Sequence, residues 1–284
     1  MRKLLFISLS VLFTLNLQAR VRSKCSLRKS ISPKCYHKRD DATLKVALIS
    51  YGSNIKESDL DRIGKILEVR FAKATNDLVR VEIVNKTEMD FKHTLPSDYV
   101  QDNIKDPERL HRIWYYDNVG AKIMQEVYEE YKTIATDDLM DELDAMLIIT
   151  GAQFNGLGFA TGRVSVTESP REIAWGLPGG GRVEYPTDYE IVDELIHELG
   201  HNMFLGHASS QCQKPGMTYE EKKLCCENSE AKNDVMSYCR GRAVVDETKM
   251  YGFESCNLGM IENLVVPAML EGKRWNVRGR VSCR

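Results

Sequence analysis

The sequence predicts an α/β fold: a mixed, mostly parallel twisted sheet with flanking helices, then a small, irregular, disulfide-rich C-terminal lobe. Three observations carry this. Short apolar runs alternate with segments whose apolar residues recur at helical spacing, the pattern of strands exchanging with helices. None of the eight cysteines lies between Cys35 and Cys212, so core packing must hold the first large part of the chain. Six of the eight fall between Cys212 and Cys283, in a segment that otherwise reads as loop.

The chain opens with "MRKLLFISLSVLFTLNLQA", a short basic end, an apolar run from Leu4 to Leu17 and a small residue at Ala19. The run is shorter than the ~20 residues needed to span a bilayer, so residues 1–19 are expected to be a cleaved signal peptide. Residues 20–41 form a basic arm with eight Lys or Arg against Asp40 and Asp41, expected to be a solvated tail. "LKVALISYG" (44–52) then reads as a buried strand. "ESDLDRIGKILEVRFAKAT" reads as a helix with Leu60, Ile63, Ile66, Leu67 and Phe71 on one face and Ser58 as its cap. "LVRVEIVN" (78–85) alternates as a second strand. A long helix is expected from Pro107 to about Thr133, with Leu110, Ile113, Trp114, Ile123, Val127 and Tyr131 as its apolar stripe. "DAMLIIT" (144–150) is a third strand, and the glycine-rich stretch after it bends into further extended pieces, including "EIAWGLP". A last helix, "LGMIENLVVPAML", is expected to be disturbed at Pro267.

Composition narrows the function. Removing Arg2 and Lys3 with the signal takes the 39 Lys and Arg to 37, against 41 acids, a mild net charge of −4. That balance points to neither nucleic acid nor an anionic membrane as partner. The glycines form neither GxGxxG nor a P-loop, so phosphate cradling has no support. An even cysteine number in an exported chain implies disulfides and a secreted or periplasmic setting.

The chemistry concentrates in "YPTDYEIVDELIHELGHNMFLGH". Thr187 and Glu190 suit a capping box, and Asp188 and Glu190 favour the positive end of a helix dipole. Ile191, Leu195 and Leu199 supply a core face. His197 and His201 are four residues apart, so both imidazoles leave one side of the helix, as a pair gripping a zinc ion must. Glu198 lies about 100° round the helix from His197, placed to act as a base toward an attacking water without being a ligand. A catalytic zinc takes three protein ligands and keeps one open position, and His207 follows far enough on for the chain to double back. Three of the six histidines thus fall within eleven residues at ligand spacing. His37, His93 and His111 are scattered and read as ordinary surface or buried-neutral residues.

With these residues the chain resembles the metzincin metallopeptidases, whose pattern is HExxHxxGxxH followed by a methionine turn. His197, Glu198, His201 and His207 match the first part, and Met236 in "NDVMSYC", 29 residues after His207, matches the turn. The resemblance implies a metzincin-like fold with the zinc helix at a cleft, one catalytic Zn2+, and hydrolysis of protein or peptide substrates. It also implies an apolar base at Met236 beneath the metal. Tyr238, two residues on, is similar to the tyrosine of the astacin-like and serralysin-like branches, which implies a transition-state stabiliser. "FESCNLGMIENLV" is similar to the start of the final helix in the reprolysin-like branch. An edge strand above the zinc binds substrate in that family, and Gly156, Leu157, Gly158, Phe159 and Ala160 are the candidates for it.

The sequence departs from the pattern at Phe204, where the family has glycine. The expectation is that the helix runs a little longer and turns at Gly206, keeping His207 as third ligand. Neither the cysteine switch of matrixins nor the aspartate switch of astacins is present, and Cys25 and Cys35 are expected to pair with each other. A second enzyme reading takes the third ligand from Glu220 or Glu221, as in gluzincins, but His207 and the Met236 turn favour the first. The expected organisation is a catalytic N-terminal lobe over 42–207 and a C-terminal lobe over 208–284. The expected function is that of an exported, monomeric zinc endopeptidase. The alternative of another class is a zinc-stabilised binding or adhesion protein, whose mark would be the loss of Glu198.

Overall fold

The computed structural model describes residues 25–31, 33, 35–90, 119–151, 158–169, 171–173, 182–184, 186–239 and 245–272. The signal segment, the first half of the helix expected from Pro107, His93, His111, Gly156, Leu157 and Cys283 lie outside them. No described helix is long and apolar enough to cross a membrane.

The order is β1 (Thr43–Tyr51), α1 (Glu57–Ala74), β2 (Arg80–Met89), α2 (Val119–Ile134), α3 (Asp137–Glu142), β3 (Ala145–Thr150), β4 (Gly158–Thr161) and β5 (Val164–Glu168). A small antiparallel pair, β6 (Arg171–Ile173) and β7 (Arg182–Glu184), follows. Then come α4 (Asp188–Asn202), α5 (Tyr219–Glu227), α6 (Ser255–Met260) and α7 (Val266–Glu271). The main sheet has the order β2-β1-β3-β5-β4, parallel except for β4, which runs antiparallel to β5 at one edge. The register sets Leu48 beside Leu147 and Ile148 beside Val166. Of "EIAWGLP", Glu172 and Ile173 lie in β6, and the remainder lies outside the described residues.

Burial explains the strand sequences. β3 is buried at every position and β1 at all but two, because helices cover both faces of a parallel sheet. Val46, Leu48, Ala145 and Leu147 face one layer, where Leu60, Ile63, Leu67 and Phe71 of α1 meet Ile191, Leu195 and Leu199 of α4. Ala47, Tyr51, Met146 and Ile148 alternate to the other face and meet Ile123, Val127, Tyr128 and Tyr131 of α2. The N-cap of α1 is Lys56 rather than Ser58, and its backbone N–H donates to the Asp59 carboxylate at 3.0 Å.

The chain after His207 has no apolar cluster of its own among the described residues. Val235, Met236, Tyr251, Phe253, Met260 and Ile261 join the α1–α4 core, with Phe253 edge-on to Phe71 at 6.2 Å. Buried Arg70 of α1 seals the junction: its guanidinium lies 4.4 Å over the Tyr189 ring and donates to the carbonyls of Asp246 and Lys249. Disulfides Cys212–Cys225 and Cys226–Cys239 staple α5, which buries no residue, and Cys256 is also disulfide-bonded. The disturbance at Pro267 takes the form of a π-turn over Ile261–Val265: Pro267 has no N–H to continue the ladder, and the Val266 N–H reaches back to the Ile261 carbonyl.

The basic arm corrects the sequence reading. It is not a solvated tail from Cys25 onward. Leu27 and Tyr36 are fully buried, and Cys25 pairs with Cys35. Tyr128 donates its hydroxyl proton to the Leu27 carbonyl, and Ser26 donates to Asp141 at 2.5 Å. Arg163, itself 1% exposed, lies 4.1 Å over the Tyr36 ring and donates to the Cys35 carbonyl. Burial pushes the Tyr36 hydroxyl up to about 12 and lowers the His37 pKa, so both groups stay neutral at physiological pH. Arg39 pairs with the buried Asp144 at 2.7 Å.

Truncation tests this docking. A chain starting at residue 42 loses the buried Leu27 and Tyr36 and leaves Arg163 with Asp144 but without its ring and carbonyl partners, and should be destabilised by about 3 kcal/mol or more relative to one starting at residue 25. Equal denaturation midpoints would show that the arm is dispensable.

Candidate metal centre

The helix that carries the candidate ligands is capped as its sequence requires. The Thr187 hydroxyl accepts from the Glu190 N–H, and the Glu190 carboxylate accepts from the Thr187 N–H at 2.7 Å. Asp188 is held by Arg62 of α1. These contacts orient a helix whose last two turns present His197, Glu198 and His201, with Glu198 and His201 nearly inaccessible.

The helix does not continue to Gly206. It ends at Asn202 with Met203 as C-cap, and Phe204 takes the left-handed conformation at φ 67°. The Phe204 N–H donates to the His201 carbonyl at 2.9 Å and the Leu205 N–H to the Gly200 carbonyl at 3.0 Å. This is a Schellman motif with phenylalanine in the place glycine usually occupies. Gly206 is not among the residues with positive φ. The expectation failed because local preference, worth about 1–2 kcal/mol for a non-glycine residue in this region, is outweighed by tertiary contacts. Leu205 is buried in the main core, and Ala208 is buried and paired to the methionine turn.

Reversal at Phe204 brings His207 back to the helix. The candidate ligand nitrogens of His197, His201 and His207 lie within 4.8 Å of one another, a group that can hold a metal ion. Their protonation pattern suits one. His197 Nδ1 donates to the Val235 carbonyl at 2.7 Å, and His201 Nδ1 donates to the Leu205 carbonyl at 3.0 Å. A proton fixed on Nδ1 leaves the Nε2 lone pair available, the arrangement that backbone carbonyls impose on metal-ligating histidines. The Nε2 atoms of His201 and His207 are 3.0 Å apart, near the ~3.3–3.4 Å edge of a tetrahedron with metal–nitrogen bonds of about 2.0–2.1 Å. Glu220 and Glu221 are exposed on α5, where Glu221 serves as a cap, and neither belongs to this group.

The turn that carries Met236 lies against the helix. Met236 packs on Gly200, where an added Cβ would fall 2.3 Å from its Sδ. The Met236 carbonyl accepts from the Ala208 N–H at 2.9 Å, and the Ala208 carbonyl accepts from the Tyr238 N–H at 3.3 Å. One turn therefore contacts the helix, the first histidine and the residue after the third. Buried Asp234 shapes it, accepting from the N–H groups of Met236 and Glu254 and from the Asn257 amide. Tyr238 is 47% exposed, with its ring stacked on His207 at 4.0 Å.

Gly158, Phe159 and Ala160 lie in β4, at the sheet edge. Gly158 lies directly against Glu198: an added Cβ would fall 2.2 Å from Oε1. The sequence reading did not single out Gly200, Asn202, Asp234 or the role of Gly158. Only Gly200 leaves a trace in sequence, since glycine inside a helix costs roughly 0.5–1 kcal/mol and marks a close approach.

No protein-family model and no curated protein matches the chain. Among solved structures it is similar to archaemetzincin from Methanopyrus kandleri, at 19% identity over 78% of this chain and 94% of that one, with a TM-score of 0.39. It is also similar to a zinc-dependent peptidase from Methanocorpusculum labreanum, at 13% identity over 76% and 100%, with a TM-score of 0.34. Metalloproteinase-II from Bacteroides fragilis is similar at 14% identity over 87% and 61%, with a TM-score of 0.36. At such low identities and TM-scores, what the chain does has to be read from its own residues.

The bend at Phe204 can be isolated from the loss of its ring by comparing two variants. Phe204→Gly and Phe204→Ala both remove the ring, but only glycine is at ease at φ 67°. The glycine variant should be the more stable by about 1 kcal/mol in chemical denaturation. A more stable alanine variant would contradict a left-handed residue here.

Proposed function

We propose that the chain is an exported zinc-dependent endopeptidase. The observation that carries the reading is the meeting, at one place, of three imidazoles with donor atoms within 4.8 Å, a buried carboxylate beside them, and a sheet edge against that carboxylate. Residues His197, His201 and His207 would hold the zinc. When bound, the ion supplies Lewis acidity toward a carbonyl oxygen and lowers the pKa of water.

The chain's own residues do the rest. Glu198 takes the proton from the attacking water and passes it to the departing amine. Its burial beside Gly158 keeps competing water out. Among the described residues β4 pairs with β5, at the edge of the sheet, and its outer side can receive an extended peptide and lay the scissile bond across Glu198. Tyr238 stands half-exposed at the rim, where its hydroxyl can donate to a developing oxyanion. Export is supported by the disulfides, which persist in oxidising compartments.

Glu198→Gln tests the reading, since it keeps size and hydrogen bonding while removing the base. The variant should retain zinc and lose peptide hydrolysis by about 10²-fold or more. Comparable turnover would remove Glu198 from the mechanism. Stoichiometric zinc in a wild-type protein that cleaves no peptide library would favour a zinc-stabilised binding or adhesion role instead.

A further inference from the structure

Strand β4 is four residues long and pairs with β5 alone among the described residues, so the sheet by itself holds it weakly. A peptide laid along its outer side can be aligned with Glu198 only if the distance from strand to helix is fixed. Two residues of α4, one helical turn apart and on one face, meet this hairpin. Glu198 meets its beginning at Gly158. Asn202 meets its far end. The Asn202 Nδ2 donates to the Gly162 carbonyl in the β4–β5 turn at 3.1 Å, and its Oδ1 accepts from the Ser165 hydroxyl of β5 at 2.7 Å. Asn202 is 2% exposed and Ser165 fully buried, so water does not compete for these bonds.

We infer that Asn202 is a positioning residue that locks the β4–β5 hairpin to α4 and so sets the height of the peptide-binding edge over Glu198. The inference rests on the peptidase reading for its consequence, but the lock itself is a property of the fold. An amide is the side chain that fits. It offers a donor to the turn carbonyl and an acceptor to the serine hydroxyl at once. Aspartate would set a carboxylate oxygen against the Gly162 carbonyl, and alanine would leave both groups buried and unpaired. The histidines are reached by neither bond, so metal binding and peptide alignment should separate when Asn202 is changed.

The experiment compares wild type, Asn202→Ala and Ser165→Ala, each as the full mature chain loaded with zinc. Five measurements are made: zinc content, affinity for acetohydroxamate, affinity for a peptide hydroxamate long enough to run along β4, peptide cleavage kinetics, and amide hydrogen exchange. In Asn202→Ala, zinc content and acetohydroxamate affinity should stay within about twofold of wild type. Peptide hydroxamate affinity should fall about tenfold, KM for a cleaved peptide should rise more than kcat falls, and β4 amides should exchange faster while α4 amides do not. Ser165→Ala, which removes one bond and little volume, should show the same pattern more weakly, and it decides the matter if Asn202→Ala does not fold. Unchanged peptide affinity together with unchanged β4 exchange would overturn the inference. So would an equal loss of acetohydroxamate and peptide hydroxamate, which would assign Asn202 to the metal helix. A wild type that binds acetohydroxamate but neither binds nor cleaves peptide would instead defeat the peptidase reading, leaving the exchange data to decide the lock.

Discussion

The packing of Met236 on Gly200 is the contact on which the rest of the site depends. A helix supplies two imidazoles on one side at no special cost, since four residues make about one turn. The third has to come from chain that has left the helix and returned, and the bonds that cap the helix reach only as far as Leu205. The turn 234–238 holds it by touching each party. It lies against Gly200, accepts the His197 proton at the Val235 carbonyl, and pairs with Ala208 beside His207. A side chain at Gly200 would displace the Met236 thioether from the helix, so a residue that weakens helices in isolation is what allows this close packing.

This contact also explains why the described residues after His207 form no separate core. Their apolar side chains enter the same cluster as α1 and α4, so the floor of the site and the helix above it are stabilised together. Asp234 is buried as an acid because four donor contacts from Met236, Glu254 and Asn257 satisfy its carboxylate. The disulfides act further out, on α5 and the segment after Tyr238, where apolar burial is sparse. The strain at Phe204 sits between these two systems and is maintained by Leu205 and Ala208 on its far side.

Much of this was legible in the sequence, for physical reasons. α1 and α4 were readable because burial of one face imposes a period of about 3.6 on apolar residues, and β1 and β3 because a strand covered on both faces leaves a short continuous apolar run. His197, His201 and His207 stood out through spacing, since a metal demands particular donor atoms at particular separations, Glu198 through its place beside His197, and Met236 only through the family resemblance. Polar contacts within the fold left no such mark. Asn202 and Asp234 act through single side chains whose partners are distant in sequence, 37 residues away for Ser165 and 23 for Asn257. The arm was misread because its charge count hid Leu27 and Tyr36, and because Arg163, the residue that receives Tyr36, is 127 positions further on. Phe204 was misread because residue preference at a left-handed position is a small energy that packing on both sides can exceed.

The central claim is that His197, His201 and His207 converge on one zinc, although phenylalanine stands where the bend is made. X-ray absorption at the zinc edge on the purified mature chain, with metal analysis of the same sample, tests it most directly. The account predicts one zinc per chain with three imidazole nitrogens at about 2.0–2.1 Å and one further light atom that is not from the protein. A shell containing sulfur, only two imidazoles, or no stoichiometric zinc would contradict it.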